Sequence, residues 1–578
     1  MAAEGLGEWL KGKSMPLSME RSEYNRRFGA TTGDRVRLAD TNLFARIEHD
    51  DTLPGFEPIA GFGRPLRDGM LFGRSGPSQL DLVITNVIVI DPVLGIFKSN
   101  IGIKDGRIEG IGRAGNPDVT DNIEVVIGSA TGIIPGDGLI ATPGGVDSHV
   151  HLSSTSLIDT ALYAGITTLV AQGSGGVWDL GVNPLNNMRH IFEAFEAIPL
   201  NLAVLARGSS DREQLAAHFE AGASGLKIHE DVGAFPAVID ACLSVADQTG
   251  GQVAIHTDGL NEAGALAETI AAIAGRSIHA YHVEGSGGGH APNLIEICSV
   301  PNVIGSSTNP TLPYSVNSVA EQLDMVIAVH RLDPLSPEDM AAAHDRVRAG
   351  TIAAEDVLHD LGAIAIVSSD SQGMGRIGQV ISRTWQVAHR MKELRGGGFD
   401  ETTRQGDDNP RIIQYIAKTT INPTIAHGLD HEVGSLEPGK LADIVLWHPA
   451  FFGVKPQTIV KGGFVVASQG SDGDGSTRTS QPLIYRPMFG SYGLAPARLA
   501  INFVSRQATN GIPSSPHLVR RSVPVRDVRA TFKRDMLHNT ASPDVRVDPR
   551  TAEVYVDGTL VANPPAESLP LTQRYFLA

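Results

Sequence analysis

The chain has 578 residues, 42% hydrophobic and 19% charged, which suits a large globular protein of two or more structural units with a sizeable core. Its formal net charge of −17 disfavours a nucleic-acid or anionic-membrane partner and leaves a small neutral or cationic substrate open. The only two cysteines, Cys242 and Cys298, fall in apolar runs, so no disulfide framework follows and a reducing cytoplasm is the expected compartment. Met1 to Ser14 lacks an apolar stretch of signal-peptide length, and no apolar run reaches the ~18 residues of a membrane span. The protein is therefore expected to be neither exported nor membrane-spanning.

Residues 1–142 read as the first part of a β-rich domain. Leu82 to Ile90 is a β-branched run, and Ile101 to Ile111 carries Asp105-Gly106 between apolar flanks, a hairpin signal. From 143 to 425 short apolar strands alternate with amphipathic helices. The strands are the segment entering His149, then Ile166–Ala171, Leu202–Ala206, Leu226–Glu230, Val253–Thr257, Ile278–Val283, Val303–Ser306 and Ile364–Ser369. Eight such units predict an α/β fold, a (β/α)8 TIM-type barrel with its active site at the C-terminal strand ends; an open doubly wound sheet is the alternative. Residues 426–578 return to β character and are expected to pack with the N-terminal strands as one discontinuous β-rich domain. Ser468 to Pro482 reads as a flexible loop, and the last hundred residues show no recognisable chemistry.

The chemistry centres on Gly225-Leu-Lys-Ile-His-Glu-Asp231. In a strand, Lys227 and His229 share one face. A lysine enclosed in a pocket loses its charge, and the free amine can take up CO2 to become a carbamate whose two oxygens bridge two metal ions. Other strand ends supply partners: Asp147-Ser-His149-Val-His151, then His256, His282 and Asp370. Imidazole, carboxylate and carbamate together suit zinc or nickel. Gly285 to Gly289 lacks the companions of a phosphate-binding loop and reads as a close backbone turn beside His282, while His290, His359, His427 and His431 read as structural. No nucleophile-elbow sequence supports Ser-His-Asp catalysis.

These residues resemble the amidohydrolase superfamily and, more closely, the urease alpha (catalytic) subunit. The resemblance runs through Phe28-Gly-Ala-Thr-Thr-Gly-Asp-Arg35, Gly225 to Asp231, Glu284-Gly-Ser-Gly-Gly-Gly-His-Ala-Pro292, Ser306-Ser-Thr-Asn-Pro310, Ser368-Ser-Asp-Ser-Gln372 and Gln573-Arg-Tyr-Phe-Leu577, over nearly the whole chain. It implies hydrolysis of urea to ammonia and carbamate, then CO2, at two Ni2+ bridged by N6-carboxylysine at Lys227. One nickel would take His256 and His282, the other His149, His151 and Asp370, and His229 would hydrogen-bond the substrate carbonyl. The general acid would be His330 on a helical flap, oriented by Asp231 with Arg346 nearby; imidazole is apt because it titrates near neutrality. The implied partners are urease beta and gamma subunits and nickel-loading accessory proteins. The chain departs from the urease pattern at Val329, where a cysteine is usual, at Arg331, where another histidine is usual, in Gln172 to Gly181, and in Leu152-Ser-Ser-Thr155. Two alternatives therefore stand beside urease: a binuclear-metal hydrolase of another urea-like or cyclic amide, and an inactive urease-like assembly paralogue.

Overall fold

A computed structural model describes residues 18–52, 57–59, 69–73, 76–172, 184–229, 233–256, 266–287, 291–470, 484–508, 512 and 518–572. The hairpin signal at Asp105-Gly106 forms as expected. Gly95–Lys104 and Arg107–Gly112 pair antiparallel with Lys104 opposite Arg107, and Asp105 and Gly106 take φ of 50° and 76°, the left-handed pair that a tight hairpin turn requires. These strands belong to a nine-stranded sheet drawn from both ends of the chain. Ile140–Pro143 pairs on one side with Leu82–Asp91 and on the other with Ile444–Trp447, which continues through Pro456–Lys461 and Phe464–Gly470 to the edge strand Ile484–Pro487. Residues 471–483, most of the expected flexible loop, lie outside the described residues.

Between these segments the chain forms eight parallel strands: β1 (Gly145–His151), β2 (Ile166–Gln172), β3 (Asn201–Arg207), β4 (Gly225–Ile228), β5 (Gln252–His256), β6 (Ile278–Tyr281), β7 (Val303–Thr308) and β8 (Ile366–Ser368). They pair in sequence order, and the intervening segments carry helices whose apolar sides cover the strands, as in Val238, Ile239, Cys242 and Ala246 of the helix Pro236–Thr249. All seven residues of β1 and of β2 are buried, the mark of strands covered on both faces. Cys242 and Cys298 are both free and buried.

The barrel is nearly closed. Between β8 and β1 a parallel bridge joins Val150 to Ser371, the Asp370 N–H donates to the His149 carbonyl at 2.9 Å, and Asp147 Oδ1 accepts the N–H groups of His149 and Ser369 at 3.1 and 3.0 Å. A carboxylate thus performs part of the pairing that a ladder performs elsewhere.

Some expected strands end early. The sixth stops at Tyr281 because His282 turns to φ 50°, and the fourth ends at Ile228, one residue before His229. The C-terminal hundred residues do more than sequence suggests. Ile501–Val504 pairs parallel with Leu202 and Ala203, the N-terminal half of β3, where β4 pairs only from Leu205 onward. Among the described residues, no helix is long and apolar enough to cross a membrane.

Candidate metal centre

Strand periodicity and strand ends assemble the site. His149 and His151 lie two apart on β1 and face the same side; Lys227 sits on β4 with His229 just beyond it; His256 ends β5; His282 follows β6; Asp370 follows β8. All seven side chains are buried. The five imidazoles form a closed circuit: ring centroids lie 5.4 Å apart from His149 to His151, 5.6 Å to His229, 5.5 Å to His256, 4.8 Å to His282 and 5.1 Å back to His149. Asp370 serves three of them. Its Oδ1 stands 2.9 Å from His151 Nε2 and 3.2 Å from His149 Nε2, and its Oδ2 3.2 Å from His282 Nε2. Lys227 Nζ lies 3.7 Å from the centroid of the Tyr281 ring, which stacks on His149 at 3.9 Å.

Two of these residues hold the left-handed backbone region, His282 at φ 50° and Asp370 at φ 58°, a cost the surroundings must enforce. Thr308 Oγ1 lies 3.1 Å from His282 Nδ1, and the Met374 N–H donates to Asp370 Oδ2. Within the described part of the glycine-rich segment the backbone passes close to His282: a Cβ on Gly287 would stand 2.1 Å from His282 Nδ1, so only glycine passes there.

Burial disfavours the charged form of His149, His151 and His256. Burial pushes the imidazoles of His149 and His256 well below their ordinary range, and that of His151 down against the pull of Asp370. Burial alone would raise Asp370, but His149, His151 and His282 overcome it and hold its carboxyl well below the usual carboxylate range. Neutral imidazole and ionised carboxylate are the ligand forms of these groups.

The arrangement fits divalent ions on its own terms. His149 Nδ1 and Nε2, His256 Nδ1 and His282 Nε2 are buried without a hydrogen-bond partner, and the two Nε2 contacts to Asp370 lack hydrogen-bond geometry. His149, His282 and Asp370 present ligand atoms all within 4.8 Å of one another. Buried polar atoms oriented inward without partners are costly unless something is coordinated there.

The residues expected on a flap take the following positions. His330 ends the helix Ser318–His330, its Nδ1 on the Val326 carbonyl at 3.0 Å and its Nε2 accepting from Arg346 at 2.8 Å. Val326 and Val329 pack with Met374, four residues beyond Asp370. Asp231 lies outside the described residues, as do His290 and residues 173–181 of the divergent loop. His359 and His427, read as structural, are buried and paired with Ser307 Oγ and His279 Nδ1. Sequence reading missed Gln172 and Tyr281 as contributors. Gln172 sits in register with His151, which the strand alignment alone could have signalled.

A (β/α)8 barrel with histidines, a lysine and an aspartate at its C-terminal mouth defines a metal-dependent hydrolase architecture. The Amidohydrolase family profile matches residues 140–477, more than half of the chain, and the profile for the urease alpha-subunit N-terminal domain matches residues 17–134. The chain belongs to the amidohydrolase family, whose members generally use a binuclear metal centre. Similar solved structures include a D-hydantoinase at 16% identity, covering 67% of this chain and 95% of that one with a TM-score of 0.47. Dihydropyrimidinase from Brevibacillus agri stands at 14% identity, 66% and 94% coverage and a TM-score of 0.48. A zinc- and phosphonate-bound N-acyl-D-glutamate deacylase from Bordetella bronchiseptica has 17% identity, 67% and 96% coverage and a TM-score of 0.45. At such identities these likenesses carry no substrate to this chain.

Proposed function

We propose that the chain is the catalytic subunit of a urease-like enzyme, hydrolysing urea to ammonia and carbamate, with two nickel ions bridged by N6-carboxylysine at Lys227. The observation that carries this reading is the closed circuit of five histidines around Asp370 and Lys227. The urease-type match over residues 17–134 directs it toward urea. His256 and His282 would hold one ion, and His149, His151 and Asp370 the other. Two divalent ions supply Lewis-acid polarisation of the amide carbonyl and hydroxide at neutral pH.

The side chains do the remainder. His229, between the rings of His151 and His256, donates to the substrate carbonyl. His330 returns a proton to the leaving nitrogen, oriented by Asp231. Because Arg346 faces His330 Nε2 at 2.8 Å, that nitrogen is an acceptor as it stands, and an acid role requires Arg346 to move aside. Beta and gamma subunits, nickel-loading accessory proteins and a cytoplasmic setting belong to the same proposal. Complex loaded with nickel and bicarbonate is expected to release ammonia from urea; release no greater than that of Lys227→Ala would reject the reading.

A second reading, hydrolysis of another urea-like or cyclic amide, is favoured by the Gln172 carboxamide inside the site and by Val329 on the flap helix. Turnover of ureido or cyclic amide compounds without turnover of urea would replace the first reading by this one.

A further inference from the structure

Gln172 has no part in the roles above. It ends β2 in register with His151, it is buried, and its carboxamide enters the histidine circuit. The atom placed as Nε2 lies 2.9 Å from His151 Nε2, while Oε1 is buried without a hydrogen-bond partner. The same imidazole nitrogen stands 2.9 Å from Asp370 Oδ1.

In neutral histidine that nitrogen carries either a proton or a lone pair. With a lone pair it would accept from the amide NH2 but meet the carboxylate of Asp370 lone pair against lone pair. With a proton it donates to Asp370, and the amide must present oxygen instead; the two ends of a carboxamide exchange by a half turn. Only the second arrangement avoids the clash, so two oxygens converge on the His151 proton. A divalent cation replacing that proton meets both.

The spacings agree with ligands sharing one ion. His151 Nε2 to Asp370 Oδ1 is 2.9 Å, His149 Nε2 to Asp370 Oδ1 3.2 Å, and His151 Nε2 to the Gln172 amide 2.9 Å. Bonds of ~2.1 Å at near right angles separate neighbouring ligand atoms by about 3 Å. We infer that Gln172 is a further ligand, through its carboxamide oxygen, of the ion held by His149, His151 and Asp370. The neutral donor adds no charge and occupies a coordination position that water would otherwise take. The inference rests on the metal-centre reading above.

The test titrates the full-length chain with Co2+ against a chromogenic chelator and records the visible spectrum. Gln172→Ala is expected to weaken one of two Co2+ sites about 10–100-fold, the scale of losing a metal-site partner, and to alter the visible bands as water replaces the carboxamide oxygen. Gln172→Glu, which offers oxygen but no N–H, is expected to restore the affinity and spectrum of the wild type. An alanine variant that binds Co2+ like the wild type overturns the inference while leaving the metal centre standing. A glutamate variant as weak as alanine also overturns it, because the amide N–H would then be the needed group. Wild-type protein that takes up no Co2+ overturns the metal centre and this inference together.

Discussion

At the scale of single residues, two buried histidines outside the candidate metal centre are kept neutral by their surroundings. His427 pairs with His279 at 2.9 Å, both are buried, and burial pushes His427 down to about 3 and His279 well below its ordinary value. Between pH ~6.5 and ~3 the unfolded chain protonates His427 and the folded chain does not, so this residue costs stability as pH falls, at ~1.4 kcal/mol per unit. Above the unfolded value the cost vanishes. Metal-free wild type is therefore expected to lose ~2 kcal/mol more than His427→Gln between pH 6.5 and 5, measured by guanidinium unfolding because urea is the proposed substrate. Equal losses in the two proteins would show that His427 is not held neutral.

At the scale of elements, the sheet is fastened to the barrel through a buried polar knot. Lys461 ends the strand Pro456–Lys461, and its Nζ donates to Asp443 Oδ2 and to Asn201 Oδ1, each at 2.7 Å; Asn201 begins β3. Asn201 Oδ1 also accepts the Ile501 N–H, and Asp443 Oδ1 the Gly462 N–H. The knot thus joins the sheet, the barrel and the C-terminal strand Ile501–Val504. Lys461→Ala leaves the Asp443 carboxylate buried without its cation and is expected to cost ~3–5 kcal/mol of unfolding free energy. A loss below ~1 kcal/mol, the range of exposed ion pairs, would mean that water replaces the ammonium.

At the scale of the whole molecule, the proposed ligands come from β1, β4, β5, β6 and the segment after β8, so bound ions would tie together most of the barrel circumference. Binding free energy of that kind is also folding free energy. Stripping the protein with a chelator is expected to lower its unfolding midpoint, and restoring nickel or zinc at 100 times the Kd to recover ~2.7 kcal/mol. An unfolding curve indifferent to metal would mean that the proposed ligands hold no ion in the folded state.

Much of this was legible in the residues alone. Eight apolar segments at regular intervals specify a barrel, since strands covered on both faces need continuous apolar runs and parallel strands need crossovers. The Asp105-Gly106 turn was equally plain, because only a left-handed pair closes such a hairpin. His149, His151, Lys227, His256, His282 and Asp370 could be named because strand ends on one side of a barrel share one mouth. Tertiary structure alone decided the rest. It set which imidazole nitrogen faces Asp370, brought Gln172 against His151, and placed Ile501–Val504 beside β3 across some 300 positions of chain. Local periodicity carries the direction of a side chain relative to its own backbone, whereas contact between distant segments depends on the packing of every element between them.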